Sequence, residues 1–369
     1  MSSTVAPGRV LRRRRERGLS QRELAERAGV TRQAIAAIET GRAQPTVGVA
    51  VAIARALGAS VETLFGPEEV IETEAFGVSP LAVGTRAVLA TIGGRKVART
   101  LDRAHGVGLS AEIADGVVSA ADRSRVRIAP LDDRSTDGTA FIAGCEIALG
   151  LLARRTTAGT GARAIWFARN NRAAVAELAG GRVHAAAIHF PAEPAQWRRA
   201  LAQMGPVGGV FCSEVAAFDE GWLLPHGNPR GFRRVREIAT GRLRLANRPR
   251  GAGARELLDQ TLRRGAVDAR GLPGYGDELD GHLEVGWAIA DGYADIGVGP
   301  ASVARAFELE FLPLRTERCV LLVAARERNH PGVTGLIATL RSTAFRRELE
   351  ALGPYDTQRI GEERPIDQP

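Results

Sequence analysis

The sequence is short of lysine, cysteine and aromatic side chains, and these shortages limit what the chain can be. Lys96 is the single lysine among 50 basic residues, so arginine is preferred throughout, and the net charge of +8 is by itself weak evidence for a nucleic-acid partner. The three cysteines, Cys145, Cys212 and Cys319, are far apart and include no Cys-x-x-Cys pair. This scatter predicts reduced thiols and argues against both a disulfide framework and a zinc site.

The sequence also lacks long apolar runs. A membrane-spanning helix needs about 20 consecutive apolar residues, and the chain contains no such stretch. The basic N-terminus, MSSTVAPGRVLRRRRERG, is not followed by the apolar segment of a secretory signal. We therefore expect a cytoplasmic protein with no membrane partner. Its 369 residues, of which 44% are hydrophobic and 25% charged, predict two or three globular domains.

Two short capped helices are indicated near the N-terminus by LSQRELAERAGVTRQAIAAIETGRAQPT. Ser20 and Glu23 have the spacing of a capping box, in which each side chain bonds a backbone N–H of the first turn. Gly29 ends this helix and Thr31 caps the next one. Two short helices joined by a glycine-containing turn predict a helix-turn-helix.

Residues 8–66, with GLSQRELAERAGV, IETGRAQP and ARALGASVETLF, resemble the XRE-type regulators, the family of phage repressors and Cro. The resemblance implies an all-α domain over residues 1–66 whose second motif helix enters the major groove of double-stranded operator DNA. The residues that it implies for DNA contact are Gln21, Thr31, Arg32, Gln33 and Ala37, with Arg14 of the run RRRRERG neutralising phosphate. Arginine can pair with guanine and glutamine with adenine, which agrees with this role. The alternative is a helical bundle for protein interaction with a solvated basic helix.

Residues 67–130 are predicted to form a linker and a β-rich connector. Gly66-Pro67 ends the helical unit, and EEVIETEAFGVSP has no helical period. TRAVLATIGGRKVART alternates apolar and polar residues around Gly93-Gly94, which is the pattern of a hairpin. The stretch carries no recognisable chemistry, so we expect a structural role as a spacer or docking surface.

From Thr139 onward, short apolar runs alternate with amphipathic helical segments. TAFIAGC, ARAIWFAR and VHAAAIHF each precede a helical segment, the third being PAQWRRALAQM, and the pattern restarts after GWLLPHGNPRGF. Strands alternating with helices predict a parallel sheet covered by helices. Two such series predict two α/β lobes within residues 131–369. The predicted fold class is therefore multidomain: an all-α N-terminal domain, a small β-rich connector and a two-lobed α/β domain.

The order GNPRGF, RLRLANRPRGAGARELLD, GHLEVGWAIADGYADIGVG and FLPL is similar to type II periplasmic-binding-protein domains over residues 131–325. It is most similar to the cytoplasmic branch that is fused behind helix-turn-helix units and is related to molybdate-binding and molybdopterin-linked proteins. The resemblance implies a small ligand in a cleft between two lobes and a chain that crosses between the lobes twice. CVLLVAA would be the returning strand.

Residues 244–259, RLANRPRGAGARELLD, place arginines and glycines where a strand should give way to a helix. Ligands bind at such strand ends in open α/β sheets, and free N–H groups at a helix start attract anions. We therefore predict an anion site formed by Arg248, Arg250, Gly251, Gly253 and Arg255, in which the guanidinium groups act as forked donors. The alternative is that these arginines are solvated members of the general excess.

Further candidates for ligand contact lie at equivalent junctions: Asn171, His189, His282 and Asp295, with Gly144, Cys145, Glu146, Asn170 and Arg172 at two helix starts. For each of them a helix cap or a core histidine is an equally good explanation. Ala252 and Ala254 stand where related domains often have hydroxyl side chains. Their absence weakens the case for molybdate and leaves a larger organic anion open.

No catalytic or cofactor signature accompanies this site. The six histidines and three cysteines have no metal-ligand spacing, and neither a Gly-x-Ser-x-Gly nor a Walker pattern occurs. The sequence therefore predicts a non-enzyme without a cofactor. The two resemblances imply a homodimeric transcriptional regulator that binds operator DNA and responds to a small anion such as molybdate or a molybdenum-cofactor-related molecule. The alternative is an autoregulator or scaffold whose C-terminal domain mediates protein interaction without a small ligand.

Overall fold

The computed structural model describes residues 8–66, 71–76, 82–101, 112–122, 125–132, 134–192 and 209–364. The helix predicted at PAQWRRALAQM lies outside the described residues. The chain separates into two compact units, one of Met1–Glu72 with Arg127–Leu131 and one of Thr73–Val126 with Asp132–Pro369. Within the described part of the chain, no helix has both the length and the apolar character needed to span a membrane.

The N-terminal unit contains five helices: α1 (Arg9–Glu16), α2 (Gln21–Ala28), α3 (Arg32–Glu39), α4 (Val47–Leu57) and α5 (Val61–Phe65). Ser20 and Glu23 form the predicted capping box at α2, and Thr31 caps α3 by accepting from the N–H of Ala34. Gly29 ends α2 with a left-handed φ of 66°, a conformation that favours glycine. The apolar faces meet in one core that includes Leu24, Ile35, Ile53 and Leu57. The predicted all-α helix-turn-helix domain is confirmed.

The connector is a small closed barrel of five strands: β1 (Ile71–Phe76), β2 (Arg86–Ile92), β3 (Arg95–Thr100), β4 (Gly116–Ala121) and β5 (Arg125–Pro130), in the order β1-β3-β2-β4-β5. The predicted hairpin joins β2 and β3 through Gly93 and Gly94, whose φ values of 57° and 74° are those a tight two-residue turn requires. Part of the stretch predicted as a linker is instead strand β1, which pairs with β3. A strand can lack helical periodicity as completely as a linker does, so the pattern could not separate the two.

The remaining strands form one mixed sheet. They are β6 (Thr139–Gly144), β7 (Arg163–Ala168), β8 (Ala185–Pro191), β9 (Val210–Leu224), β10 (Leu245–Ala246), β11 (Ile296–Pro300), β12 (Glu310–Ala324), β13 (Tyr355–Asp356) and β14 (Glu363–Arg364). The main order is β10-β11-β9-β12-β8-β6-β7, and β13 and β14 also pair with β9. The helices are α6 (Ala148–Gly159), α7 (Asn171–Ala179), α8 (Gly253–Arg264), α9 (His282–Ala290), α10 (Ala301–Ala306), α11 (Pro331–Leu340) and α12 (Thr343–Leu352).

Two long antiparallel strands, β9 and β12, connect two lobes. In the first lobe β12 pairs with β8, and β8 and β7 flank β6 in parallel. In the second lobe the end of β9 pairs with β11, which pairs with the short β10. The β9–β12 ladder is irregular between Pro313 and Arg315, at the passage from one lobe to the other. The predicted two-lobed α/β domain with two crossing strands is confirmed, and β12 contains the predicted returning strand except for its last residue, Ala325.

The barrel shares a hydrophobic core with the first lobe. Val88, Ala90 and Val97 of the barrel belong to the same buried cluster as Phe141 and Phe167 of the lobe. Polar contacts reinforce this packing, because the guanidinium of Arg99 on β3 binds the Glu177 carboxylate of α7 at 2.6 and 3.2 Å. These barrel strands are therefore part of the α/β unit and do not act as a free spacer.

Candidate ligand cleft and DNA-contacting helix

The N-terminal end of α3 presents an exposed polar surface. Thr31, Arg32 and Gln33 are exposed, and Ala37, one turn further along the helix, is half-buried. Ile35 and Ile38 face the core on the opposite side of the same helix. An exposed arginine and an exposed glutamine at a helix start can reach base edges in a major groove, as the sequence resemblance implies.

Arg14 is placed differently from the expectation. Its side chain is buried, and its Nε and Nη2 donate to the two carboxylate oxygens of Glu39 at 2.6 and 3.1 Å, while Nη1 donates to the carbonyl of Leu19 at 2.7 Å. Gln21 joins this network through Nε2, 2.9 Å from Glu39 Oε2. The hydrogen bond and charge of Glu39 raise the pKa of Arg14. Arg14 therefore ties α1 to α3 and does not offer its charge to DNA phosphate.

The three arginines of residues 244–259 have different environments. Arg248 is only 4% exposed, and its Nε and Nη1 have no hydrogen-bond partner among the described residues. Arg255 is equally buried, but it is satisfied by Asp259, Glu278 and the carbonyl of Arg248. Arg250 is exposed. The predicted three-arginine fork therefore consists of one buried arginine with two donor atoms unpartnered among the described residues, one structural arginine and one solvated arginine.

The start of α8 faces the first lobe. A Cβ built on Gly253 would lie 2.7 Å from Cε1 of His189, and one built on Gly251 would lie 3.6 Å from Nδ2 of Asn170. Gly251 also has a φ of 91°, which favours glycine. The two glycines thus let the backbone of the second lobe approach β8 and the start of α7 closely. The junction therefore lies where the second lobe approaches the first.

His189, near the end of β8, is a centre of this cleft. Its Nε2 lies 3.1 Å from Sγ of Cys145, and its Nδ1 lies 3.0 Å from Oε2 of Glu317. The Asn171 side chain bonds both backbone groups of His189, at 2.7 and 3.2 Å. Burial opposes a proton on this histidine, but Cys145 and Glu317 outweigh it and raise the His189 pKa. Asn171 is therefore a positioning residue for the His189 backbone.

The crossing strands carry three charged groups that the sequence analysis did not single out. Glu220 on β9 and Glu317 on β12 are almost fully buried, and Arg315 on β12 forms an ion pair with Glu317. Burial, and then the Glu317 charge, raise the pKa of Glu220 to about 7. Burial acts to raise the Glu317 pKa too, but His189 and Arg315 lower it overall. Where β9 and β12 pass from one lobe to the other, buried and exposed residues do not alternate regularly. Sequence periodicity therefore could not reveal Glu220, Arg315 and Glu317.

His282 and Asp295, two further candidates for ligand contact, lie at opposite ends of the second-lobe strands. His282 begins α9, is 4% exposed, and has its pKa lowered by burial, then by Arg248 and His189. Asp295 precedes β11 and accepts from the backbone N–H of Arg244 at 2.9 Å. That is the amino end of the parallel β10–β11 pair, away from the carboxyl end that leads to Arg248. The expectation that Asp295 contacts ligand is therefore corrected, because its carboxylate holds two strands together.

The candidates at the two helix starts include one residue of the cleft and several residues with structural roles. Cys145 lies in the cleft beside His189, whereas Glu146 is buried and accepts the hydroxyl of Tyr355 at 2.6 Å. Burial raises the pKa of Glu146. Asn170 caps α7 through the N–H of Ala173, and Arg172 is exposed. The one signal that could have found the Cys145–His189 pair is their common position at the ends of β6 and β8, which the sheet order brings together.

Known proteins share both parts of this architecture. A family model described as a PBP superfamily domain matches residues 153–341, just over half of the chain. The chain belongs to the PBP superfamily. A helix-turn-helix model matches residues 10–64. The predicted combination of an XRE-type domain with a PBP-like domain is confirmed, and no match supports molybdate specificity.

Individual known proteins match parts of this chain. The uncharacterised protein YvgK of Bacillus subtilis is 24% identical over 223 residues, which cover 60% of this chain and 72% of YvgK. An uncharacterised HTH-type transcriptional regulator of Methanothermobacter thermautotrophicus is 57% identical over 53 residues, 14% of this chain and 77% of its own. A putative phosphate ABC transporter substrate-binding protein of Clostridium perfringens, solved with bound phosphate, covers 59% of this PBP-like chain and 99% of its own with 11% identity and a TM-score of 0.46.

Proposed function

We propose that this protein is a DNA-binding transcriptional regulator whose operator affinity is set by a small anion bound between the lobes of its PBP-like domain. The observation that carries the anion assignment is Arg248, a buried guanidinium whose Nε and Nη1 have no hydrogen-bond partner among the described residues. Buried donor atoms of a charged group are costly to leave without a partner, so we expect an anionic ligand to bind there.

The backbone beside Arg248 adds to the attraction. Helix α8 begins at Gly253 and runs for 12 residues, and no side chain in the described part of the chain caps its first turn. Its free N–H groups and the positive end of its dipole favour an anion. An oxyanion or carboxylate held by Arg248 would lie at a helix start close to His189 of the opposite lobe. Molybdate is one member of this ligand class and has no special support.

The position of the site suggests how binding of the anion changes binding of operator DNA. Arg248 and α8 belong to the second lobe, His189 and Asn170 to the first, and the buried charges of Glu220, Arg315 and Glu317 lie on the crossing strands. A ligand that contacts both lobes favours their closed arrangement by its differential affinity. We propose that closure changes how paired helix-turn-helix domains meet two half-sites, with the protein acting in the cytoplasm as a homodimer. Allosteric coupling of about 1–3 kcal/mol would change operator affinity roughly 5–150-fold.

A thermal-shift experiment tests the anion assignment. The full chain is melted against a panel of phosphate, sulfate, molybdate, pterins and small organic acids. A ligand that binds only the folded state raises the melting temperature with its concentration. We expect at least one anion to do so with the wild type and with Arg250→Ala, whose arginine is solvated, and none to do so with Arg248→Ala. A flat response of the wild type across the panel would favour a scaffold without a small ligand.

A further inference from the structure

Three soft or borderline metal ligands meet in the cleft although they are far apart in the sequence. We propose that Cys145, His189 and His282 form a binding site for one Zn²⁺ ion. The thiol sulfur and one nitrogen from each imidazole lie within 4.8 Å of one another, and all three residues are buried. The proposal goes beyond the anion-responsive function and does not depend on it. It also reverses the expectation from the sequence, where the scattered cysteines and histidines argued against zinc.

The distances are close to those of a loaded site. Zn–S and Zn–N bonds of about 2.3 and 2.0 Å in a tetrahedral arrangement place sulfur and nitrogen about 3.5 Å apart. Cys145 Sγ and His189 Nε2 are 3.1 Å apart, so an ion between them requires a small outward movement of both groups. The ring centroids of His189 and His282 are 6.2 Å apart, with both rings at the same cleft.

The hydrogen bond on the other ring nitrogen of His189 is of the kind that metal-bound histidines usually make. Its Nδ1 lies 3.0 Å from Glu317 Oε2, which leaves Nε2 directed towards Cys145. Histidines that bind metals generally donate their other ring N–H to a carboxylate or carbonyl, which fixes the tautomer and the ring orientation. Arg315 in turn holds Glu317 through an ion pair. Glu317 is therefore a positioning residue for this site and not a ligand.

His282 supplies the second, independent observation. It is 4% exposed, and its Nδ1 is buried with no hydrogen-bond partner in the part of the chain that the structure describes. A buried imidazole nitrogen without a partner is costly, and a metal ion is one group that satisfies it.

A second group of candidate ligands, His189 with Glu220 and Glu317, fits an ion less well. It lies on the Nδ1 side of the imidazole, where Glu317 already has a hydrogen bond and an ion pair. The Cys145 side offers a thiolate and imidazoles, which suit zinc, and three protein ligands leave a fourth position open for an exogenous group. With one thiolate, Zn²⁺ keeps a net charge of +1, which adds to the attraction of Arg248 for an anion.

Cobalt substitution tests the site directly. Untagged full-length protein is stripped with a chelator, titrated with Co²⁺ alone and then with competing Zn²⁺, and followed by absorbance and by metal analysis. We expect one ion per chain, a thiolate-to-cobalt charge-transfer band, and loss of that band when Zn²⁺ is added. The band should persist in the Cys212→Ala and Cys319→Ala variants and in His226→Gln, which removes an exposed histidine.

Variants of the ligands separate the proposal from adventitious binding. Cys145→Ser should abolish the band, and Glu317→Gln should weaken Zn²⁺ affinity about 10–100-fold, the usual effect of losing a supporting carboxylate. His282→Gln should weaken it further. Metal-free circular dichroism checks that each variant folds. A wild-type protein that binds Co²⁺ without the charge-transfer band, or a folded Cys145→Ser that keeps full affinity, overturns the site. Because Zn²⁺ is added without any anion or DNA, a failure here leaves the anion proposal standing, and the reverse also holds.

Discussion

His184 is expected to make the α/β unit sensitive to acid. This histidine is fully buried where the barrel meets the first lobe, with Nδ1 accepting from the N–H of Phe141 at 3.0 Å and Nε2 lying 3.1 Å from the carbonyl of Thr91. Burial, and then the charges of His330 and Arg326, lower its pKa to about 3. Both ring nitrogens are already used in this neutral form. A second ring proton would break the bond to Phe141 and add a buried charge.

The size of the effect follows from linkage. The unfolded chain binds a proton at this histidine below a pKa of about 6.5, whereas the folded chain does so only near 3, so the unfolded state binds more protons between these values. The stability is therefore fully present above the unfolded pKa and is lost as pH falls towards the folded one. At about 1.36 kcal/mol per pH unit, His184 alone should lower the free energy of unfolding by about 2 kcal/mol at pH 5 relative to neutral pH.

Urea unfolding at pH 7.5 and pH 5, followed by circular dichroism, measures this loss. Because other groups also titrate, the informative quantity is the difference between the wild type and His184→Gln, whose amide can still accept from Phe141 and donate to Thr91. The wild type should lose about 2 kcal/mol more than the variant between the two pH values. An equal pH dependence of the two proteins would refute the reasoning and mean that His184 is protonated, or solvated, in the folded chain.

Three further predictions address other parts of the chain. Arg14→Ala leaves a buried carboxylate unpaired and should destabilise the helical domain by about 3 kcal/mol, seen as a lower melting temperature, whereas loss of an exposed arginine on α1 should have little effect. Arg32→Ala should cost about 1–3 kcal/mol of operator binding without changing the fold; a gel shift in which both proteins bind equally contradicts the groove assignment. Gly253→Ala places a methyl group 2.7 Å from His189 and should therefore reduce the rise in melting temperature that the anion causes. Gly276→Ala is the control, because the space around Gly276 is open. Equal stabilisation by the anion in the two variants would count against a site at the start of α8.

The local features of the fold could be predicted because each depends on residues close together in the chain. The capping box of Ser20 and Glu23 needs a spacing of three, and the turn at Gly93 and Gly94 needs two residues that accept positive φ. The sequence does not distinguish strand β1 from a linker, because a six-residue strand carries little pattern. The barrel's place in the first-lobe core was also missed, since it depends on which buried faces meet.

The sequence could propose where a ligand site lies but not its contacts. A topological rule points to the strand-to-helix junction of residues 244–259, and the structure places that junction against the first lobe. Which arginine stays unpaired depends on partners distant in the sequence: Arg255 is satisfied by Glu278, and Arg14 by Glu39 across 25 residues. Likewise, Cys145 meets His189 only because β6 and β8 are neighbours in the sheet, a contact that the linear spacing of cysteines and histidines cannot show.

The central claim is that an anion in the cleft and operator DNA influence each other's binding through one protein. The most direct measurement is operator affinity by fluorescence anisotropy, with and without a saturating concentration of the anion that gives the largest thermal shift, for the wild type, Arg248→Ala and Arg250→Ala. We predict that the anion changes wild-type and Arg250→Ala affinity by the same factor, roughly 5–150-fold, that operator DNA changes anion affinity by that factor too, and that Arg248→Ala binds operator normally but does not respond. An operator affinity that the anion leaves unchanged in the wild type, or a loss of anion-free DNA binding in Arg248→Ala with a weaker salt dependence, would contradict the account.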